Sequence, residues 1–230
     1  MERLMRTKTV IAGVAGTAAA GLVAARAMRS NGHATGAEQR MSQLQRHVSD
    51  MIALDQDLLS AVRQQLSDQH VEGMAEARDI LEEVERTLEA HVVRLTEELD
   101  ALGGPSGSAL KKLAAGMAGA AAAIFGRMRS EPVSRMLRDN YTALSLVTIS
   151  YSMLHTTALT LGSQTLADAA QLCMEQTTPL VVRVSDAMPR IVTMELQRES
   201  MPLQPDAAKE AEEAAMSAWQ QGAQQEHEAF

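Results

Sequence analysis

Residues 88–104 read "LEAHVVRLTEELDALGG", and this stretch decides the fold because it joins a helical pattern to a stop signal. Apolar residues recur at Leu88, Leu95 and Leu99, which is the spacing of one face of a helix. A glycine pair then ends the pattern, as glycine commonly does after a last helical turn. His91 lies among acidic residues on the same helix, so the stretch also raises the question of a metal ligand.

The composition indicates an all-α protein. The chain has 230 residues, of which 46% are hydrophobic and only 2% aromatic, and 15 are methionine. Its common residue types, such as Ala, Leu, Met, Glu and Gln, favour helices. A formal net charge of −8 argues against nucleic acid as the main partner. The single cysteine, Cys173, excludes an internal disulfide, and its apolar setting in the middle of a helix favours an inert core thiol.

The chain is predicted to have three parts: a basic N-terminal segment with a linker, a helical domain and an acidic C-terminal tail. These parts cover 1–36, 37–200 and 201–230. Within the domain, apolar periodicity and Gly or Pro stop signals predict four long helices, over 38–69, 72–102, 132–161 and 163–196. Pro179 is expected to kink the fourth helix. The tail is expected to form a loose helix or an irregular arm.

The connections between these helices predict an antiparallel four-helix bundle. Only a few residues separate the first two helices, whereas 104–131 separate the second from the third. This long connection contains an uncharged run at 113–126, which we expect to form a short helix that crosses the bundle. One long crossover between two helical hairpins is the connectivity of ferritin-like bundles.

The N-terminal segment leaves three interpretations open. Residues 9–25 carry no charge, are flanked by basic residues and repeat Ala or Gly every fourth position. They could contact a membrane, form a small-residue helix or arm, or belong to a cleaved signal peptide that covers 1–27. The protein would accordingly be cytoplasmic or membrane-associated, with a secreted or periplasmic form in the third case.

Three stretches resemble the ferritin-like superfamily of rubrerythrin- and ferritin-type bundles. "EAHVVRLTEELDALGG" is similar to the end of the second helix in such proteins. "LRDNYTALSLVTISYSMLHTTALTLG" and "LADAAQLCMEQTTPLVVRVSDAMP" are similar to the third and fourth helices. The resemblance covers about 38–196. It implies a four-helix bundle that oxidises or stores iron, or reduces oxygen or peroxide, at a dimetal carboxylate site, as bacterial stress-type proteins of this kind do.

Most of the implied metal ligands are missing from the second and third helices. A site of this type takes a Glu from each of two helices and Glu-x-x-His from each of the other two. Leu88 stands three residues before His91, where the Glu of such a pair belongs. Val147 stands four residues before Tyr151, where the resemblance implies another Glu.

The first and fourth helices supply little more. Asp55 lies within the apolar stripe of the first helix and is its only candidate ligand. The fourth helix offers Cys173 with Gln176, or Glu175 with Thr178, depending on the register. Neither pair is Glu-x-x-His. Carboxylate sites hold metal ions by accumulated charge and fixed geometry, so we predict a bundle that has lost its dimetal site and binds no cofactor.

Four residues stand out as vestigial or alternative site candidates: Asp55, His91, Tyr151 and His155. In one interpretation they only stabilise packing, because Tyr151 and His155 hydrogen-bond to each other, to Asp55 or to a backbone carbonyl. In the other, Asp55, His91 and His155 bind a small ligand or a single metal ion.

The sequence thus favours a non-catalytic bundle that acts as a structural or interaction module. We expect it to form homo-oligomers through its helix faces, with a membrane contact through 9–25 as a further option. The alternative is a di-iron oxidase or an iron-storage protein that uses iron with atypical ligands. A third hypothesis is a lipid- or porphyrin-binding module that uses 113–126 and the methionines.

Overall fold

The computed structural model describes residues 35–104 and 132–228, and all regular structure in these ranges is helical. The all-α prediction is therefore confirmed for this part of the chain. The chain divides into two units, Met1–Arg40 and Met41–Phe230. The predictions for 9–25 and 113–126, the apolar segment and the crossover helix, lie outside the described residues.

Five long helices and one short helix make up the described structure. They are α1 (Gly36–Leu66), α2 (Gln69–Glu72), α3 (Ala75–Ala101), α4 (Val133–Thr160), α5 (Gln164–Arg198) and α6 (Ala207–Glu228). A capping box starts α1, in which the Glu38 carboxylate accepts from the Thr35 amide and the Thr35 hydroxyl accepts from the Glu38 amide.

The connection between α1 and α3 differs from the prediction. The first helix was expected to continue to residue 69, but α1 ends at Leu66 and the separate helix α2 follows. Asp68 explains the break, because its carboxylate accepts from the His70 amide at 2.9 Å and so begins a new helix. Gly73 then ends α2 after four residues.

Glycines end α3 and α4 where the sequence predicted. Gly103 and Gly162 have φ values of 67° and 75°, in the left-handed region that side chains with a Cβ rarely adopt. Helix α5 begins after its N-cap residue Ser163 and is continuous through Pro179 and Pro189.

Buried faces of α1, α3, α4 and α5 contribute to one hydrophobic cluster, which includes Leu58, Leu88, Leu144 and Val184. The predicted loose C-terminal segment is the 22-residue helix α6, which packs on α5. Arg190 of α5 forms ion pairs with Glu76 of α3 and with Glu212 of α6, and so links α6 to these two helices. None of the helices in the described ranges combines the length and the apolar character needed to cross a bilayer.

Candidate functional site

The central polar contact of the core joins Asp55 of α1 to Tyr151 of α4. Both side chains are completely buried. The Tyr151 hydroxyl donates to Oδ2 of Asp55, whereas Oδ1 of Asp55 has no hydrogen-bond partner in the described structure. The apolar stripes of the two helices place these residues in the core, where the Asp55 carboxyl group depends on Tyr151 for its hydrogen bond.

Burial keeps the Asp55 carboxyl group largely protonated at neutral pH. It raises the pKa of Asp55 to about 8, because the charged form loses its hydration, and the hydrogen bond from Tyr151 only partly offsets this effect. The pKa of Tyr151 is also raised, first by burial and then by the neighbouring Asp55. The pair therefore carries little negative charge with which to attract a cation.

His91 of α3 contacts the ring of Tyr151 and forms a cluster of buried polar side chains with Asp55 and Tyr151. The two rings meet edge to face, with centroids 5.3 Å apart and an interplanar angle of 85°. The structure buries His91 completely. Its position one turn after Leu88 keeps it on the buried face of α3.

Gln176 of α5 is the hydrogen-bond partner of His91. Its amide oxygen lies 3.0 Å from Nε2 of His91, and since an amide oxygen only accepts, Nε2 carries the proton. Nδ1 of His91 has no partner in the described structure. Burial, and to a lesser extent the positive charge of Arg94, lowers the pKa of His91 to about 4, so the ring is neutral at physiological pH.

Cys173 lies beside Tyr151 in the same cluster. The Cys173 side chain is buried and hydrogen-bonds with that of Tyr151. Burial raises the pKa of the Cys173 thiol to about 12, and the Tyr151 hydrogen bond opposes this effect. The thiol is therefore protonated at neutral pH, and a protonated thiol is neither a nucleophile nor a metal ligand.

The fourth predicted candidate, His155, does not join the cluster. Its side chain is half-buried, and its Nδ1 lies 2.9 Å from the carbonyl oxygen of Ala167. The packing interpretation predicted that Tyr151 and His155 would hydrogen-bond to Asp55 or to a backbone carbonyl. In the structure Tyr151 bonds to Asp55, and His155 bonds to a backbone carbonyl. The described residues contain no group of three or more His, Cys, Asp or Glu side chains that could hold a metal ion.

The structure also decides which residues of α5 face the cluster. Cys173 is buried. Gln176 is exposed, as are Glu175 and Thr178, but its amide oxygen reaches His91. Glu175 accepts a hydrogen bond from Gln171 at the surface. The only carboxylate in this part of α5 therefore points away from Asp55.

A second buried polar pair was missed in the sequence. Asn140 of α4 donates from Nδ2 to Oε1 of Gln65 in α1 at 2.8 Å and to the Met136 carbonyl at 3.0 Å. Both side chains are buried, and Oδ1 of Asn140 has no partner. One signal was available, because Asn140 precedes Tyr151 by eleven residues and so lies on the same face of α4.

The donor set does not fit a dimetal carboxylate centre. At two positions where the resemblance implies a ligand Glu, Leu88 and Val147 are completely buried aliphatic side chains. Asp55 is engaged by Tyr151, and His91 by Gln176. Two neutral, hydrogen-bonded groups cannot supply the charge that such a centre requires.

Comparison of the chain with protein-family models, with curated proteins and with solved structures returned no match.

Proposed function

We propose that the chain is a ferritin-like four-helix bundle that has lost its dimetal site and acts as a non-catalytic structural and interaction module. The bundle would consist of α1, α3, α4 and α5. The shared hydrophobic cluster of these four helices supports this arrangement, as do the short connections within each pair and the long one at 105–131.

The observation that carries the proposal is the state of Asp55. It is the only buried acid in the described residues, it accepts from Tyr151, and its raised pKa keeps it largely protonated at neutral pH. A protonated carboxyl group that is already hydrogen-bonded is a poor metal ligand and a poor general base. Its effect is instead to hold α1 and α4 in one register, as a buried polar contact can.

The partners that we propose are other copies of the same chain, which would associate through exposed helix faces. Exposed apolar side chains on α4 and α5 support this proposal, among them Ile149, Met153 and Val182. A membrane contact through 9–25 is a separate part of the proposal and concerns residues outside the described ranges.

One observation favours the alternative, a di-iron oxidase or iron-storage protein with atypical ligands. Asp55 and His91 both lie against Tyr151, and each keeps one polar atom without a partner, Oδ1 and Nδ1 respectively. These atoms could turn towards an ion if more ligands approached. The missing carboxylates make this the weaker candidate.

Metal analysis separates the two functions. The full-length chain would be expressed in medium supplemented with iron and manganese, purified without chelators, and analysed by mass spectrometry for metals and in an oxygen electrode with added Fe(II). We expect less than about 0.1 metal ion per chain and no Fe(II)-dependent oxygen consumption above that of the Asp55→Asn variant. About two iron or manganese ions per chain would support the alternative.

A further inference from the structure

The outer face of α4 differs from the rest of the described surface because it carries no charge. From Asn140 to Ala167 the sequence contains no Asp, Glu, Lys or Arg. Two large apolar side chains stand out on this face, since Ile149 is 57% exposed and Met153 is 61% exposed. The Arg138–Asp139 ion pair marks the N-terminal end of the uncharged region.

Six hydroxyl groups on this helix already donate to its own backbone. Each of six serines and threonines donates to the carbonyl oxygen four residues earlier in α4: Thr142, Ser145, Thr148, Ser150, Thr156 and Thr160. The donor–acceptor distances lie between 2.7 and 3.2 Å. A surface whose hydroxyl groups are bonded to its own backbone can be covered by an apolar partner without leaving buried donors unpaired.

The exposed positions follow a seven-residue repeat. Thr142, Ile149 and Thr156 are spaced by seven, and Met153 precedes Thr160 by seven. Thr142, Ile149, Met153 and Thr156 are all exposed. Residues seven apart lie along one face of a helix, and apolar side chains on such a face, here Ile149 and Met153, are those by which one long helix packs along another.

We propose that this face binds a second copy of the chain, with the two α4 helices antiparallel across a two-fold axis. In such an isologous contact a patch meets the same patch of the other copy, so any charge on it would lie near its own equivalent. The chain has a net charge of −8, which makes most contacts between two copies repulsive. The uncharged face of α4 avoids this repulsion and is therefore complementary to itself.

The area available indicates a weak dimer. The uncharged helical part of α4 is about 30 Å long and about 10 Å wide, which gives a footprint of about 300 Å². Standard interfaces bury about 800 Å² per partner. We therefore expect a weak, concentration-dependent equilibrium between monomer and dimer.

This inference rests on the proposed role as an interaction module, but its test is independent of the metal question. The test is sedimentation equilibrium of the full-length chain between about 1 and 200 μM. We expect the mass to rise from the chain mass of 24.8 kDa towards twice that value. Ile149→Glu and Met153→Glu should each raise the dissociation constant at least tenfold, because each places two carboxylates close together.

The matched control is Val93→Glu on α3, where the aliphatic side chain is 58% exposed, as Ile149 is 57% exposed. It should leave the dissociation constant within about twofold of the original value. Far-UV circular dichroism would verify that all three variants are folded, which their exposure favours.

Three results would overturn the proposal. A wild-type chain that stays monomeric at 200 μM would mean that solvent or the chain's own residues 105–131 cover the face. A dimer that survives both Ile149→Glu and Met153→Glu would place the interface elsewhere. Equal loss of the dimer in Val93→Glu would show that added charge alone prevents association. Metal binding by a chain that still dimerises through Ile149 would contradict the proposed function but not this inference.

Discussion

Replacement of Asp55 by Asn should remove a specific pH dependence of stability. The pKa of Asp55 is raised from 3.8 to about 8 in the folded chain, mainly by burial. A raised folded-state pKa contributes stability that is fully present below the unfolded pKa and is lost as the pH rises through the folded one. Asp55 should therefore destabilise the fold progressively between about pH 4 and about pH 8.

The size of this effect follows from the linkage between protonation and folding. Within that range the contribution of Asp55 falls by about 1.4 kcal/mol per pH unit, or by about 3 kcal/mol between pH 5 and pH 7. Asn carries no charge at any of these pH values, and its amide oxygen can still accept from Tyr151. The variant should thus gain about 3 kcal/mol relative to the wild type over this interval.

The assay is urea unfolding followed by far-UV circular dichroism at pH 5, 6 and 7. The difference in unfolding free energy between wild type and Asp55→Asn isolates the contribution of Asp55, because the other titrating groups cancel. Asp79→Asn, which removes a carboxylate at an exposed position on α3, is the control and should not reproduce the pH-dependent gain of Asp55→Asn. If the Asp55→Asn difference stayed constant from pH 5 to pH 7, Asp55 would not be the neutral, buried group described here.

Three further outcomes are expected. Burial raises the pKa of the Cys173 thiol to about 12, so this thiol should not react with a maleimide reagent at pH 7 until the chain unfolds. Rapid labelling of the native protein would contradict its burial. Gln176→Ala removes the hydrogen bond to His91 and should lower the free energy of unfolding by about 0.5 to 1.5 kcal/mol. An unchanged free energy in urea titrations would mean that this hydrogen bond does not contribute to stability. Arg190→Ala breaks part-exposed ion pairs to α3 and α6. Hydrogen exchange should therefore accelerate within α6, while the global free energy of unfolding changes by less than about 1 kcal/mol. Undiminished protection of the α6 amides would show that these ion pairs do not hold α6 in place.

The long helices could be predicted from the sequence because their signals are local. The apolar spacing around Leu88 and the glycines at Gly103 and Gly162 correspond to the observed buried face and helix ends. The extra helix α2 was missed because its start depends on one side-chain hydrogen bond, from the His70 amide to Asp68. Periodicity over ten or more residues does not detect a four-residue helix.

The core cluster could be predicted only in part, because its contacts join distant residues. Asp55 and Tyr151 stood out as polar residues within apolar stripes, and they do bond to each other. The partner of His91 could not be found from the angle on one helix, since Gln176 follows it by 85 residues and its facing depends on the rotation of α5. His155 lies one helical turn after Tyr151 on α4, which suggested that the two act together, but the two side chains have different hydrogen-bond partners.

The most direct test of the proposed loss of a dimetal site is an anaerobic calorimetric titration of the full-length, metal-free chain with Fe(II). The described cluster pairs a neutral Asp55 with Tyr151 and a neutral His91 with Gln176, so we expect the same small signal from the wild type and from Asp55→Asn. Saturable binding of two Fe(II) ions per chain that Asp55→Asn abolishes would contradict the account.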